Sequence, residues 1–200
     1  MQKNSGFTLT ELLAAVVILG ILMGMAVPAV TSVLRDQRNK MYVEDSIRLA
    51  SKMQSKMKSD NKVIIPPLNS CVVMSLKYLD DGTFEESPYG KTYDKERSFV
   101  IAKRTDGFYK YNYYVRLVEN IRSDSTDPNN FRGINLIPID DDGSGTYLYM
   151  KNAKNKVDNF NDTLIKPLSD YITGSNPDGL PISMSLKGLV TSCNNVVVWG

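Results

Sequence analysis

Hydrophobic positions along this 200-residue chain follow two regimes. From Leu12 to Leu34 the run of 23 positions contains no Asp, Glu, Lys or Arg. At a rise of about 1.5 Å per residue, a helix of that length covers roughly 35 Å. That is enough to cross a hydrocarbon layer of about 30 Å. Charge returns on both sides, with Glu11 before the run and Arg35, Asp36 and Arg38 after it. A bilayer suits this segment better than a soluble core does.

Beyond residue 34 the apolar positions become intermittent. Residues 35 to 60 contain no Gly or Pro and are crowded with helix formers and charges of both signs. Met41, Ile47, Ala50, Met53 and Met57 recur at spacings compatible with one apolar stripe. Arg35, Arg38, Glu44, Asp45, Arg48, Lys52 and Lys56 would cover the remainder, with Glu44 and Arg48 as an i, i+4 pair. The two regimes together predict one continuous helix of about 50 residues, half in a membrane and half packed on a head. Pro66-Pro67 closes that stretch.

Residues 61–200 amount to one domain's worth of chain. Cys71 to Leu79 is a compact apolar run that reads equally as a helix or a strand. Strands are predicted from Ser98 to Arg104 and from Phe108 to Val118, flanking Thr105-Asp106-Gly107, because Asp-Gly favours a tight hairpin. Ile134 to Ile139 and Thr146 to Met150 flank a second turn, Asp140-Asp141-Asp142-Gly143-Ser144-Gly145. A helix is predicted from about Val157 to Ile172, with Asp158 or Asn161 as its cap and Pro167 limiting its regularity. Ile182 to Val190 and Asn195 to Trp199 read as late strands. The fold class expected is α+β, a long N-terminal hydrophobic helix packed on a head with a mainly antiparallel β-sheet.

The segment ahead of the apolar run carries the most specific signal. Met-Gln-Lys-Asn-Ser-Gly, with its single cation Lys3, precedes Phe7-Thr8-Leu9-Thr10-Glu11, and the apolar stretch follows at once. A secretory signal peptide places its cleavage site after the apolar region. Here the cut would fall before it, after Gly6. These residues resemble the class III signal of type IV prepilins and pseudopilins. The resemblance implies cleavage between Gly6 and Phe7 by a membrane prepilin peptidase and methylation of the new Phe7 amine. It also implies a leader at 1–6, a long helix at 7–60 with its membrane and filament-core part at 12–34, and a head at 61–200. Glu11, fifth from Phe7, stands where that family carries its glutamate. There it would pair with the Phe7 amine of a neighbouring subunit and set register. Gly20 and Pro28 stand where many family members have helix-loosening residues.

Each of these positions also has a plainer reading. Thr8-x-x-Glu11 ahead of an apolar run satisfies a capping box. Gly20-Ile-Leu-Met-Gly24 has the small-xxx-small spacing that lets membrane helices approach, although glycine is common in such helices anyway. Pro28 removes one helical N–H and is expected to kink or open the helix locally. Tyr78-Leu79 and the later Pro88-Tyr89-Gly90-x-x-Tyr93 loosely resemble the loop leading into the sheet of major pseudopilins.

Charge and composition narrow the function by exclusion. Residues 1–60 carry 8 Lys/Arg against 5 Asp/Glu and residues 61–200 carry 16 against 17, giving +3 and −1 and the overall +2. No basic stripe suggests nucleic acid, and none is expected as a partner. The chain has no histidine, which removes the commonest general base and metal ligand. Neither a phosphate loop nor a nucleophile elbow is present, so an enzyme and a cofactor are not expected. Asp140, Asp142, Ser144 and Thr146 resemble the start of a calcium loop, with Gly145 at its turn. The twelfth position is Lys151 in place of the bidentate glutamate, and no metal is expected. Cys71 and Cys193 would form a disulfide in an oxidising compartment or remain two buried thiols.

The functional expectation is a structural pilin or pseudopilin subunit, held as a single-pass membrane protein before assembly. Its partners would be the prepilin peptidase, the pilus assembly machinery and other pilins in a homo- or hetero-filament at the cell surface or in the envelope. Two alternatives stand beside it. One is a minor or tip subunit acting as an adhesin, in DNA uptake or in secretion. The other is a membrane-anchored protein that never assembles.

Overall fold

A computed structural model describes residues 8–60, 67–105, 110–120, 131–141, 147–153, 155–160, 164–173, 183–184, 193 and 196–199. The chain divides into two units, Met1–Arg38 and Asn39–Gly200. Helix α1, Leu9–Ser59, contributes to both.

In the first unit every described residue of α1 is exposed, including Ile18 at 57% and Leu22 at 57%. Apolar side chains occupy all sides of this half, which is the signature of a helix whose surroundings are themselves apolar. Among the described residues α1 is the one helix long and apolar enough to cross a membrane. It runs through Pro28 without a break, so the local opening expected there is absent. Just beyond, the hydroxyls of Thr31 and Ser32 donate to the carbonyls of Pro28 and Ala29, each at 2.9 Å. Such back-bonding lets a hydroxyl sit in an apolar helix without an unpaired donor.

In the second unit the same helix becomes one-sided. Tyr42, Val43, Ser46, Leu49, Ala50, Met53, Gln54 and Met57 are buried. Their three- and four-residue spacings place them on one face. Met41 was expected in that stripe but is 53% exposed, because the buried face is centred on Tyr42, Ser46 and Leu49. Arg48 pairs with Asp45 at 3.3 Å in place of the expected Glu44.

The head is built on a seven-stranded sheet of order β5 (Leu148–Tyr149), β4 (Phe131–Asp141), β3 (Tyr111–Val118), β2 (Phe99–Arg104), β1 (Cys71–Ser75) and β9 (Val196–Trp199), with β6 (Asp158–Phe160) paired to β4. Cys71 to Leu79 resolves into both of its readings, strand β1 (Cys71–Ser75) followed by one-turn helix α2 (Leu76–Leu79). Ser75 makes the switch by capping α2, accepting from the Tyr78 N–H at 3.1 Å. β2 (Phe99–Arg104) and β3 (Tyr111–Val118) pair antiparallel as expected, while the Asp106-Gly107 pair between them lies outside the described residues. β4 (Phe131–Asp141) pairs antiparallel with β3 and with β5 (Leu148–Tyr149). β9 (Val196–Trp199) lies parallel to β1, the exception in an otherwise antiparallel sheet. Among the described residues of 182–190, only Ser183–Met184 is placed, as β8 pairing with β7 (Ile172–Thr173).

The helix expected from Val157 to Ile172 does not form. Asp158–Phe160 is instead strand β6 on β4, and Leu168–Tyr171 is a single 3₁₀ turn. Phe160 packs against Val118, Phe131 and Ile165, a non-local contact that overrides the local spacing. The sheet is covered on both faces. Val72, Met74, Val100, Ala102, Val115 and Leu117 join the α1 face in one core, while Cys71, Val73, Phe99, Ile101, Leu168, Val196 and Val198 form a second. Where β3 meets β4 the register shifts between Val115 and Leu117, and Leu136 takes a left-handed φ of 51°. Gly133 is required beside this bulge, because a Cβ there would lie 2.3 Å from the Leu117 carbonyl oxygen.

Candidate functional site

The N-terminal threshold of α1 is organised by a reciprocal cap. The Thr8 N–H and the Thr8 hydroxyl both donate to Glu11 Oε2, at 2.9 and 2.8 Å. The Glu11 N–H points back at the Thr8 Oγ1, at 3.4 Å. This capping box satisfies donors that a helix start leaves open. It occupies a single carboxylate oxygen, and Oε1 has no hydrogen-bond partner among the described residues. Glu11 is exposed, so capping and an outside cation are compatible roles for the one side chain. Gly6 and Phe7 lie outside the described residues.

One helical turn apart, Gly20 and Gly24 face open space, with nothing within 4 Å of where a Cβ would stand. They leave a shallow notch on a helix otherwise clad in Leu, Ile, Val and Met.

The prokaryotic N-terminal methylation motif matches residues 1–27 of the chain. The N-terminus is a type IV prepilin-like class III signal. Such a segment is processed by prepilin peptidase, and the apolar helix behind it is long and apolar enough to cross a membrane. Comparisons with curated proteins and with solved structures give no match.

Behind this prepilin-like segment, the second unit grips its part of α1 with a polar clamp that the sequence did not announce. The Tyr89 hydroxyl donates to Asn39 Oδ1 at 2.6 Å, and the Tyr93 hydroxyl donates to Asp45 Oδ2 at 2.7 Å. From the helix side, the Tyr42 hydroxyl reaches the Leu117 and Arg132 carbonyls at 3.3 and 3.2 Å. The Tyr42 and Tyr93 rings meet edge-to-face, centroids 5.4 Å apart, and Arg132 lies 4.1 Å over the Tyr89 ring. Burial pushes both the Tyr42 and Tyr93 hydroxyls well above the usual range, which keeps them as donors. Tyr89 and Tyr93 come from the stretch whose loose pseudopilin resemblance offered the only cue.

Beside the clamp, Glu119 is 2% exposed and accepts from the Ser87 hydroxyl. Burial pushes its carboxyl up, against the opposing pull of the Ser87 hydrogen bond and of Arg132. Cys71 and Cys193 are bridged, with Cα atoms 5.7 Å apart. The bridge fastens the approach to β9 onto β1, the strand that β9 pairs with. Of the calcium-loop residues, Asp140 lies in β4, 3.8 Å from the Lys151 ammonium, while Asp142 and Ser144 fall outside the described residues. Among the described residues, no group of three acidic or thiol side chains converges on a metal-sized site.

Proposed function

We propose that the chain is a structural subunit of a type IV pilus-like filament, a pilin or pseudopilin. It is cut after Gly6, methylated at Phe7 and assembled through the N-terminal half of α1. The observation that carries this reading is the pairing of a prepilin-like signal with a helix half that is apolar and exposed all round. Lipid accepts that surface before assembly, and the same half of other copies replaces lipid afterwards.

Cohesion in such a bundle comes from van der Waals packing, which the Gly20–Gly24 notch permits at close range. The Phe7 ammonium of one subunit and the Glu11 carboxylate of the next neutralise each other where an unpaired acid would be expensive. A mid-membrane carboxylate costs about 2.5–3.5 kcal/mol on insertion scales, less toward the end. The clamp around Tyr42 and Tyr93 gives the head a fixed hold on its own part of the helix.

Glu11→Ala tests the assembly role. Processing should continue and filament incorporation should fall when sheared filaments are quantified by immunoblot. A normal filament content for the alanine variant would remove the register role. Immunogold along the whole filament supports a major subunit, and label confined to ends favours a tip subunit.

A further inference from the structure

Along residues 39–59 of α1 the charged side chains divide into those engaged within the chain and those left over. Asp45 accepts from the Tyr93 hydroxyl and pairs with Arg48. Lys52 pairs with Asp81, Lys56 lies 5.4 Å from the centroid of the Tyr78 ring, and Lys58 is engaged as well. Lys40 and Glu44 remain. Both are exposed, and among the described residues neither forms an ion pair, with the other or with any third group. They are opposite in sign and one helical turn apart, with Met41, 53% exposed, beside them.

Their order matters. A lysine four residues ahead of a glutamate is the poorer arrangement for pairing within one helix. Between two parallel helices it works well, because a displacement of four residues, about 6 Å, sets the lysine of one against the glutamate of the next. With no displacement, Lys40 would face Lys40 and Glu44 would face Glu44, and like charges repel. The Phe7 ammonium and the Glu11 carboxylate stand in the same order with the same spacing of four. Pairing Phe7 of one copy with Glu11 of the next therefore requires the same four-residue displacement. Along the unbroken α1, that displacement also brings Lys40 of the first copy level with Glu44 of the second.

We propose that the Lys40–Met41–Glu44 face is an interface between copies of this chain, with Lys40 of one subunit paired to Glu44 of the next. It rests on the pilin-like reading, to which it adds a second register contact beyond the apolar Leu12–Leu34 run. One exposed ion pair is weak, but a filament repeats it at every subunit.

The test is charge reversal, with filament content measured by immunoblot of sheared fractions. Lys40→Glu and Glu44→Lys should each lower that content by at least about fivefold, through like-charge contact. The two substitutions together should restore it, since the pair re-forms with its signs exchanged. Normal filament content in either single variant, or no recovery in the double variant, overturns the contact. A matching fall in the unfolding midpoint of the head would assign the loss to folding and overturn it as well. If the natural protein carries a methylated Phe7 and Glu11→Ala loses filaments, those results overturn this contact alone. A natural protein that is neither cut nor assembled overturns the pilin-like reading and this contact with it.

Discussion

The two halves of α1 are equally helical and differ in what they ask of their surroundings. Residues 9–38 are exposed on every side, and the apolar ones among them show no preferred face. Residues 39–59 bury Tyr42, Ser46, Leu49, Ala50 and Met53 along one face and leave charges on the other. A sheet can satisfy a helix that is apolar on one side only. A helix that is apolar all round needs lipid or several like helices, so its function lies outside its own chain. The distribution of hydrophobic residues around the axis, more than their number, separates anchor from domain.

The contrast predicts which changes disturb the folded head. The largest effect is expected from replacing both cysteines by alanine. The bridge spans a sequence separation of 122 residues, and the chain-entropy model assigns loops of that order about 4–5 kcal/mol. Urea unfolding followed by the emission of Trp199, the single tryptophan, should report that loss, because Trp199 ends β9. An unchanged midpoint would mean that β9 holds without the bridge.

A smaller effect separates the halves of the helix. Leu49 is fully buried and Leu19 is exposed. Leu49→Ala should destabilise the head by about 3 kcal/mol, the usual size for a buried leucine truncation. Leu19→Ala should leave the same transition in place. Equal effects at the two positions would break the distinction between the halves.

The smallest effect concerns Glu119, whose folded-state carboxyl is pushed above its ordinary value of 4.5. Raising the folded pKa means that the protonated form favours folding. Its contribution is fully present below about 4.5 and is lost as pH rises through the higher folded value. Glu119→Gln mimics the protonated state and can still accept from Ser87. The glutamine variant should match the natural protein in acid and exceed it in midpoint toward neutral pH. A parallel offset at all pH values would show that burial of the charge is not the cause.

The sequence alone disclosed those features that depend on local pattern. The Leu12–Leu34 run, the continuation of α1 to Ser59, the antiparallel pairing of β2 and β3, and the final strand all follow from periodicity or turn signals. The segment 157–172 failed because its apolar spacing suits a helix, whereas Phe160 is claimed by Phe131, Val118 and Ile165. The full burial of Arg116 on β3 was invisible for a related reason. A charged residue in an alternating strand reads as solvent-facing, whereas among the described residues the Leu168–Tyr171 turn, with the Tyr171 ring 5.7 Å from the guanidinium, helps to make that second face an interior. Of the functional segment, the prepilin-like signal and Glu11 stood out by motif. The clamp joins Tyr93 to Tyr42 and Asp45, dozens of positions away, so beyond the loose resemblance around Tyr93 no local pattern pointed to it.

The most direct test of the whole account is the N-terminus of the mature protein. Intact-mass and N-terminal peptide analysis of the chain isolated from cells should show a first residue of Phe7 carrying one added methyl group. A mature chain that still begins at Met1, or one cut beyond the apolar run, would contradict it.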